Sequence, residues 1–361
     1  RYPAHDGELE LENMYMAWYW IVDTQNTENL WRCFNSYAIM TYQFGAFPEM
    51  KIIFDYAITR LTDLTESDPH LFASLLFVSA SIEAYLLNWD VVSHRQQQGR
   101  ALLQDMNWDI ARLELVFAHY HLALSLRNRH HDDATDLIKH LGSVLESRDL
   151  THDTVGMTML AYVYSQQSIL YDYLNQRVHA RELAFRALKF ARQIQQISII
   201  ALSTETIGWA EFHEGNYDRA SEYMEESEQM YRQLISTFDF GKLLCEAGTV
   251  AIAQQQYDKA RRYLRESLDI LGDYGLLNMV IQLICTVANW MHNEGYIVEA
   301  TELVAFSQQH TRVVRYTELI QNLMQNFSEK LPATEFQQAV KRGQALDYET
   351  VIRELTVWLE D

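Results

Sequence analysis

The chain has 361 residues, of which 48% are hydrophobic, so it is long and apolar enough to bury a large core. Its formal net charge is −20, from 29 basic and 49 acidic side chains. A surface this acidic repels a phosphate backbone, and no basic patch in the sequence offsets the repulsion. We therefore expect no nucleic-acid binding by this segment.

The few prolines and the lack of sustained alternation of β-branched residues predict an almost entirely helical chain. The three cysteines, Cys33, Cys245 and Cys285, contain no C-x-x-C pair, which is typical of a reduced, cytoplasmic protein. Neither a signal peptide nor an apolar run of about eighteen residues is present, so we expect no membrane partner. The chain opens on Arg1 without a methionine, which we interpret as a fragment of a longer protein.

In chain order, residues 1–24 are predicted to form an entry helix, with the sequence "ELENMYMAWYW". Residues 25–310 are predicted to form seven helical hairpins. Residues 311–361 contain two further amphipathic patterns, "YTELIQNLMQNF" and "YETVIRELTVWL", which we interpret as a C-terminal helical cap.

The seven hairpins are inferred from an internal repeat. Four alanines, Ala180, Ala220, Ala260 and Ala300, follow one another at intervals of 40 residues. Looser matches place Met50, His94 and Ala134 in the same register, at intervals of 44, 40 and 46. Each unit contains a mostly apolar stretch, a short polar break and a second amphipathic stretch, which predicts a helical hairpin. A single hairpin cannot bury its apolar faces, so we expect the hairpins to stack.

The repeat resembles the tetratricopeptide repeat (TPR). The matching features are a small residue midway along the first helix (Gly208, Gly248, Ala288), a glycine before an aromatic at the turn (Gly215, Tyr217), and the tail Ala220-Met224-Ser227. The resemblance implies an all-α, right-handed superhelix of stacked hairpins. Two features depart from the family: the period is 40 instead of about 34, and the closing proline is missing. A period near forty also suits HEAT-type repeats, so that alternative stays open.

Long-period arrays of this kind are similar to the C-terminal sensor regions of bacterial signal-transduction ATPases with numerous domains, the maltose-regulon-activator-like regulators. Glu12-Asn13 near the start, and Pro332, Phe336 and Gly343 near the end, carry the resemblance. It implies an upstream ATPase and output domain, and a role in signal transduction and transcription regulation. A freestanding TPR scaffold that joins partner proteins without a switch is the alternative.

The TPR resemblance further implies that the first helix of each hairpin lines a concave groove, which would bind a peptide, a protein or a small effector. The groove positions in this register are Arg32, Asn35, Tyr42, Glu83, His119, Tyr162, Asp172, Glu205, Trp209, Lys242, Thr249, Asn289 and His292.

No catalytic motif stands out in the sequence. The chain lacks the G-x-x-x-x-G-K-[ST] loop that would wrap a nucleotide phosphate. The histidines near His119 and His130 do not have the spacing or the neighbouring ligands of a zinc site. We therefore expect a binding module that is not an enzyme and that uses no cofactor and no metal.

Overall fold

A computed structural model describes residues 4–44, 47–86, 88–103, 146, 154–173, 176–234, 237–272, 277–311 and 314–360. Across these ranges the regular elements are seventeen helices, without a strand. The chain divides into two compact units, Arg1–Leu137 and Ile138–Asp361, which we describe separately.

The described part of unit 1 contains the first six helices. They are α1 (Ala4–Asp23), α2 (Thr27–Phe44), α3 (Phe47–Arg60), α4 (Leu64–Ser67), α5 (Pro69–Tyr85) and α6 (Trp89–Leu103). Helix α5 begins at Pro69, a position where the missing N–H costs no intrahelical bond. It packs between α3 and α6. The buried Trp18 attaches α1 to α3, because its Nε1 donates a hydrogen bond to the carbonyl of Ile53 at 2.9 Å.

The described part of unit 2 contains the eleven remaining helices. They are α7 (Thr154–Tyr173), α8 (Arg177–Ile194), α9 (Ile197–His213), α10 (Tyr217–Tyr231), α11 (Thr237–Ala253), α12 (Tyr257–Gly272), α13 (Leu277–Asn293), α14 (Ile297–His310), α15 (Val314–Lys330), α16 (Ala333–Gln344) and α17 (Tyr348–Glu360).

The helices α7 to α14 form four consecutive hairpins. We call α7, α9, α11 and α13 the A helices, and α8, α10, α12 and α14 the B helices. Each A helix packs against the B helix that follows it and against the next A helix, and each B helix also packs against the next A helix. This pattern confirms the prediction of an all-α fold in which helical hairpins stack.

The repeated small residues permit close packing within each hairpin. Ala220 and Ala260 are completely buried. A Cβ added to Gly248 would lie 2.7 Å from the Cδ2 of Leu264, so this glycine lets α11 approach α12 closely. At the hairpin turn, Gly215 has a φ of +82°, a conformation that side-chain-bearing residues rarely adopt. The small residues of the 40-residue repeat therefore lie at the hairpin turn and at the contact between the two helices of a hairpin.

The last three helices pack onto the repeats. Helix α15 contacts α13 and α14, α16 packs along α14, and α17 packs against α12. A Cβ on Gly343 of α16 would lie 2.7 Å from the Cα of Glu302. Arg261 of α12 donates a hydrogen bond to the carbonyl of Trp358 at 2.8 Å, and Arg265 pairs with Glu360 at 2.7 Å.

The boundaries at residues 24 and 310, and the number of seven hairpins, stay predictions. Ala134, which marks the third predicted hairpin, lies outside the described residues. No helix in the described part of the chain has the length and apolar character needed to cross a membrane.

Candidate binding surface

The predicted groove residues of unit 2 define what we call the A-helix surface. Its members are Tyr162 and Asp172 on α7, Glu205 and Trp209 on α9, Lys242 and Thr249 on α11, and Asn289 and His292 on α13. The structure brings several of them into contact across the stack. Lys242 reaches Glu205 on the preceding A helix, and the hydroxyl of Thr249 lies 3.3 Å from that of Thr286 on the next one. Residues 37 positions apart in sequence therefore meet where neighbouring A helices pack.

A group of charged residues lies between α9 and α11. We call Glu205, Asp239, Lys242 and Glu246 the acid cluster. Lys242 donates from Nζ to Oε1 of Glu205 at 2.5 Å, and the hydroxyl of Tyr231 donates to Oε2 of Glu205 at 3.1 Å. Both oxygens of this buried carboxylate are thereby satisfied.

Glu246 is equally buried but is poorly paired. Its Oε1 lies 3.7 Å from Nζ of Lys242, beyond hydrogen-bonding distance. Its Oε2 has no hydrogen-bond partner among the described residues. Burial raises the pKa of Glu205; Lys242 opposes that change, whereas Glu246 and Asp239 reinforce it.

An aromatic platform lies one turn further along α9. It consists of Trp209, Phe212 and His213, each half-buried. The rings of Trp209 and Phe212 are stacked with centroids 4.9 Å apart, and the ring of His213 stands edge-on to Trp209 at 5.0 Å. Nε2 of His213 lies 3.9 Å from Oδ2 of Asp172, which joins the platform to α7. Such a surface offers apolar contact area together with polar ring edges.

At α13, His292 is buried and Asn289 is exposed. Burial and the nearby Lys330 lower the pKa of His292, which favours the neutral ring. Nε2 of His292 lies 2.8 Å from Nζ of Lys330. Because an ammonium only donates, Nε2 accepts and Nδ1 carries the hydrogen. Within the described ranges Nδ1 has no partner.

Of the groove residues predicted in unit 1, the structure describes the side chains of Arg32 and Glu83. Arg32 is exposed and pairs with Glu28 of its own helix at 2.6 Å. Asn35 and Tyr42 belong to α2, but their side chains are outside the described set, and so is all of His119.

Glu83 has a different environment from an open groove position. It is completely buried and accepts hydrogen bonds from Lys51 and Asn88, while Arg95 lies 3.5 Å from its Oε1. Two cations therefore surround one buried carboxylate, an arrangement that offsets the cost of burying it. The predicted role of Glu83 in binding stays a prediction.

Sequence reasoning missed Tyr231, Glu246, Phe212 and His213. Two signals were present: Phe212 occupies the repeat position of Asp172 and His292, and Glu246 follows Lys242 by one helical turn. Tyr231 lies on a B helix, so only the packing of α10 on α11 brings it to the cluster. Among the described residues, no group of His, Cys, Asp or Glu has the arrangement of a metal site.

Comparison with known proteins gives a fold relationship only. No family model matches the chain, and no curated protein sequence matches it. A Rap protein solved in complex with competence and sporulation factor is 13% identical, with a TM-score of 0.57 over 97% of this chain and 99% of that one.

Two further structures are less similar in fold. The apo form of RapI is 14% identical with a TM-score of 0.49, covering 90% of this chain and 96% of that one. Aspartyl phosphate phosphatase F from Bacillus subtilis is 11% identical with a TM-score of 0.49, covering 92% and 94%. The match at 0.57 supports a TPR-like helical-repeat fold for this chain.

Proposed function

We propose that unit 2 is a TPR-like module that binds a peptide, or an extended segment of a partner protein, along the A-helix surface. The observation that carries this proposal is the half-buried aromatic platform of Trp209, Phe212 and His213, which lies beside the acid cluster. The Rap protein of similar fold was solved with a bound factor, which supports a binding role for this architecture.

Hairpin stacking by itself requires only apolar side chains at the contacts between helices. Positions that only stack hairpins are filled here by Ala220, Ala260 and Leu264, all completely buried and apolar. The A-helix surface instead carries an exposed Asn289 and a partly exposed Trp209. Aromatic anchors surrounded by hydrogen-bonding groups are the typical composition of a binding surface.

We further propose that the module acts by binding and not as an enzyme. Its place in a signalling protein also remains a hypothesis: the sensor region of a multidomain ATPase that regulates transcription in the cytoplasm, or a freestanding scaffold. The two differ in what the full-length gene encodes before this segment. A phosphate-binding loop and a DNA-binding domain would favour the sensor, and their absence from the gene would favour the scaffold.

Selection from a library of random short peptides tests the binding role. The full chain is immobilised, and selected peptides are then measured in solution by fluorescence polarisation. Trp209→Ala should weaken their affinity by about tenfold or more, since a central aromatic anchor is lost.

Phe185→Ala is the matched control, because Phe185 is an exposed aromatic on the B helix α8. It should leave the affinity unchanged. A selection that yields no binder, or equal losses in both variants, would contradict the proposal. Circular dichroism of both variants checks that they are folded.

A further inference from the structure

Glu246 combines deep burial with an unsatisfied carboxylate oxygen. The residue is 2% exposed, and its Oε2 lacks a hydrogen-bond partner among the described residues. An ionised carboxylate that loses water without gaining a donor is costly. The described part of the fold supplies no compensating donor at this oxygen.

The repeat register shows which way Glu246 faces. Thr286 occupies the equivalent position one repeat later, and its hydroxyl lies 3.3 Å from Thr249 on the preceding A helix. By the same register Glu246 faces α9, where Glu205 and Trp209 occupy the positions of Cys245 and Thr249. Its electrostatic influence on Glu205 agrees with this placement. Glu246 therefore lies toward the same part of the A-helix surface as the aromatic platform.

Within the part of the chain that the structure describes, Nζ of Lys242 lies 2.5 Å from Glu205 and 3.7 Å from Oε1 of Glu246, and Oε2 of Glu246 is left without a donor. Lys242 is also the partly exposed cation of the cluster, with 27% of its side chain accessible, so the cluster opens to solvent beside it. A second cation entering there would find an unused acceptor, Oε2 of Glu246.

We propose that the acid cluster recognises a cationic group of the bound peptide, with Glu246 as the accepting carboxylate. This inference rests on the function proposed above and names the chemistry that the A-helix surface selects. A guanidinium or ammonium group would donate to Oε2 of Glu246, while its carbon chain or plane lies near Trp209, whose ring face also attracts cations. A Lys or Arg side chain and a free peptide N-terminus share this chemistry.

The experiment uses the peptides selected on the wild-type chain. Each is resynthesised in three forms: with its Arg or Lys replaced by the neutral citrulline or norleucine, with an acetylated N-terminus, and unmodified. We expect one of the two modified forms to lose about tenfold or more in affinity, because a charge-assisted hydrogen bond is removed. The form that loses affinity identifies the source of the cation.

The variant Glu246→Gln tests whether Glu246 is the residue that recognises the positive charge of the peptide. In this variant the unmodified and the neutralised peptides should bind with nearly equal affinity, whereas the dependence on Trp209 should persist. Glu222→Gln, an exposed carboxylate on α10, is the control for removing one negative charge, and it should preserve the discrimination.

The outcomes separate this inference from the proposed function. Peptides that depend on Trp209 but bind equally well without a positive charge would overturn the cation site and leave the binding function standing. Discrimination that persists in a folded Glu246→Gln variant would also overturn it. If no peptide binds at all, both proposals fail.

Discussion

Nζ of Lys242 lies 2.5 Å from Oε1 of Glu205, and this ion pair joins two A helices across 37 positions of sequence. Only 3% of the Glu205 side chain is exposed, against 27% of that of Lys242. Removing the lysine would leave a buried carboxylate with one hydrogen bond, from Tyr231. The pair therefore contributes to the stacking of α9 on α11 as well as to the charge of the A-helix surface.

Replacing Lys242 should destabilise the stack. We expect Lys242→Met to lower the free energy of unfolding by about 2 kcal/mol, less than for a fully buried pair because the lysine is partly solvated. Arg192→Met removes an exposed pair with Glu226 and should cost less than about 0.5 kcal/mol. Urea unfolding measures both. Equal losses would show that burial of Glu205 does not set the cost.

The contact between α16 and α14 depends on Gly343. A Cβ there would meet backbone atoms of Glu302, which cannot move as a side chain does, so Gly343→Ala should cost about 2–3 kcal/mol. Gly272→Ala is the matched control, since its nearest neighbour, Cδ1 of Leu268, is 4.0 Å away. Thermal unfolding of the two variants should differ clearly. A stable Gly343→Ala protein would contradict the close helix contact.

Stability should depend on pH through Glu205. Burial raises its pKa above the ordinary value of 4.5, so its contribution to stability is fully present below that pH and is lost as the pH rises through the folded-state pKa. Glu205→Gln cannot lose this proton. The free energy of unfolding of Glu205→Gln relative to wild type should therefore increase between about pH 5 and about pH 8. A difference that does not change with pH would contradict the assignment, and Glu222→Gln controls for net charge.

Helix α17 should protect an apolar surface of α12 and α13. Trp290 is buried, its ring lies 4.5 Å from that of Trp358, and the Arg261 guanidinium lies over both rings. Ending the chain after Leu346 should expose Trp290, shift tryptophan fluorescence to the red and cause self-association in sedimentation velocity. Arg353→Ala alters an exposed residue of α17 and should do neither. A truncated chain that stays monomeric would contradict the capping role.

The chain should not bind duplex DNA by itself. Its net charge of −20 opposes association most strongly at low salt, where screening is weakest. A gel-shift titration at low ionic strength should show free DNA at every protein concentration. A shifted band that weakens as salt is added would reveal a basic surface that the sequence does not indicate.

The sequence by itself determined the repeat and its local structure. Ala180, Ala220, Ala260 and Ala300 are all buried, as their 40-residue spacing predicted. Gly215 adopts the positive φ expected of a glycine in a turn. These features depend on residues close together in the chain, where helix periodicity and turn chemistry follow directly from residue type.

Only the tertiary structure decided which residues meet across the stack. It brings Tyr231 and Glu246 to Glu205, and Arg261 to Trp358, 97 positions away in sequence. Such pairings depend on how each hairpin is rotated against the next. A small change in that rotation leaves the hydrophobic pattern intact but changes which polar side chains face each other, because burial of apolar area is not directional, whereas hydrogen bonds and ion pairs are.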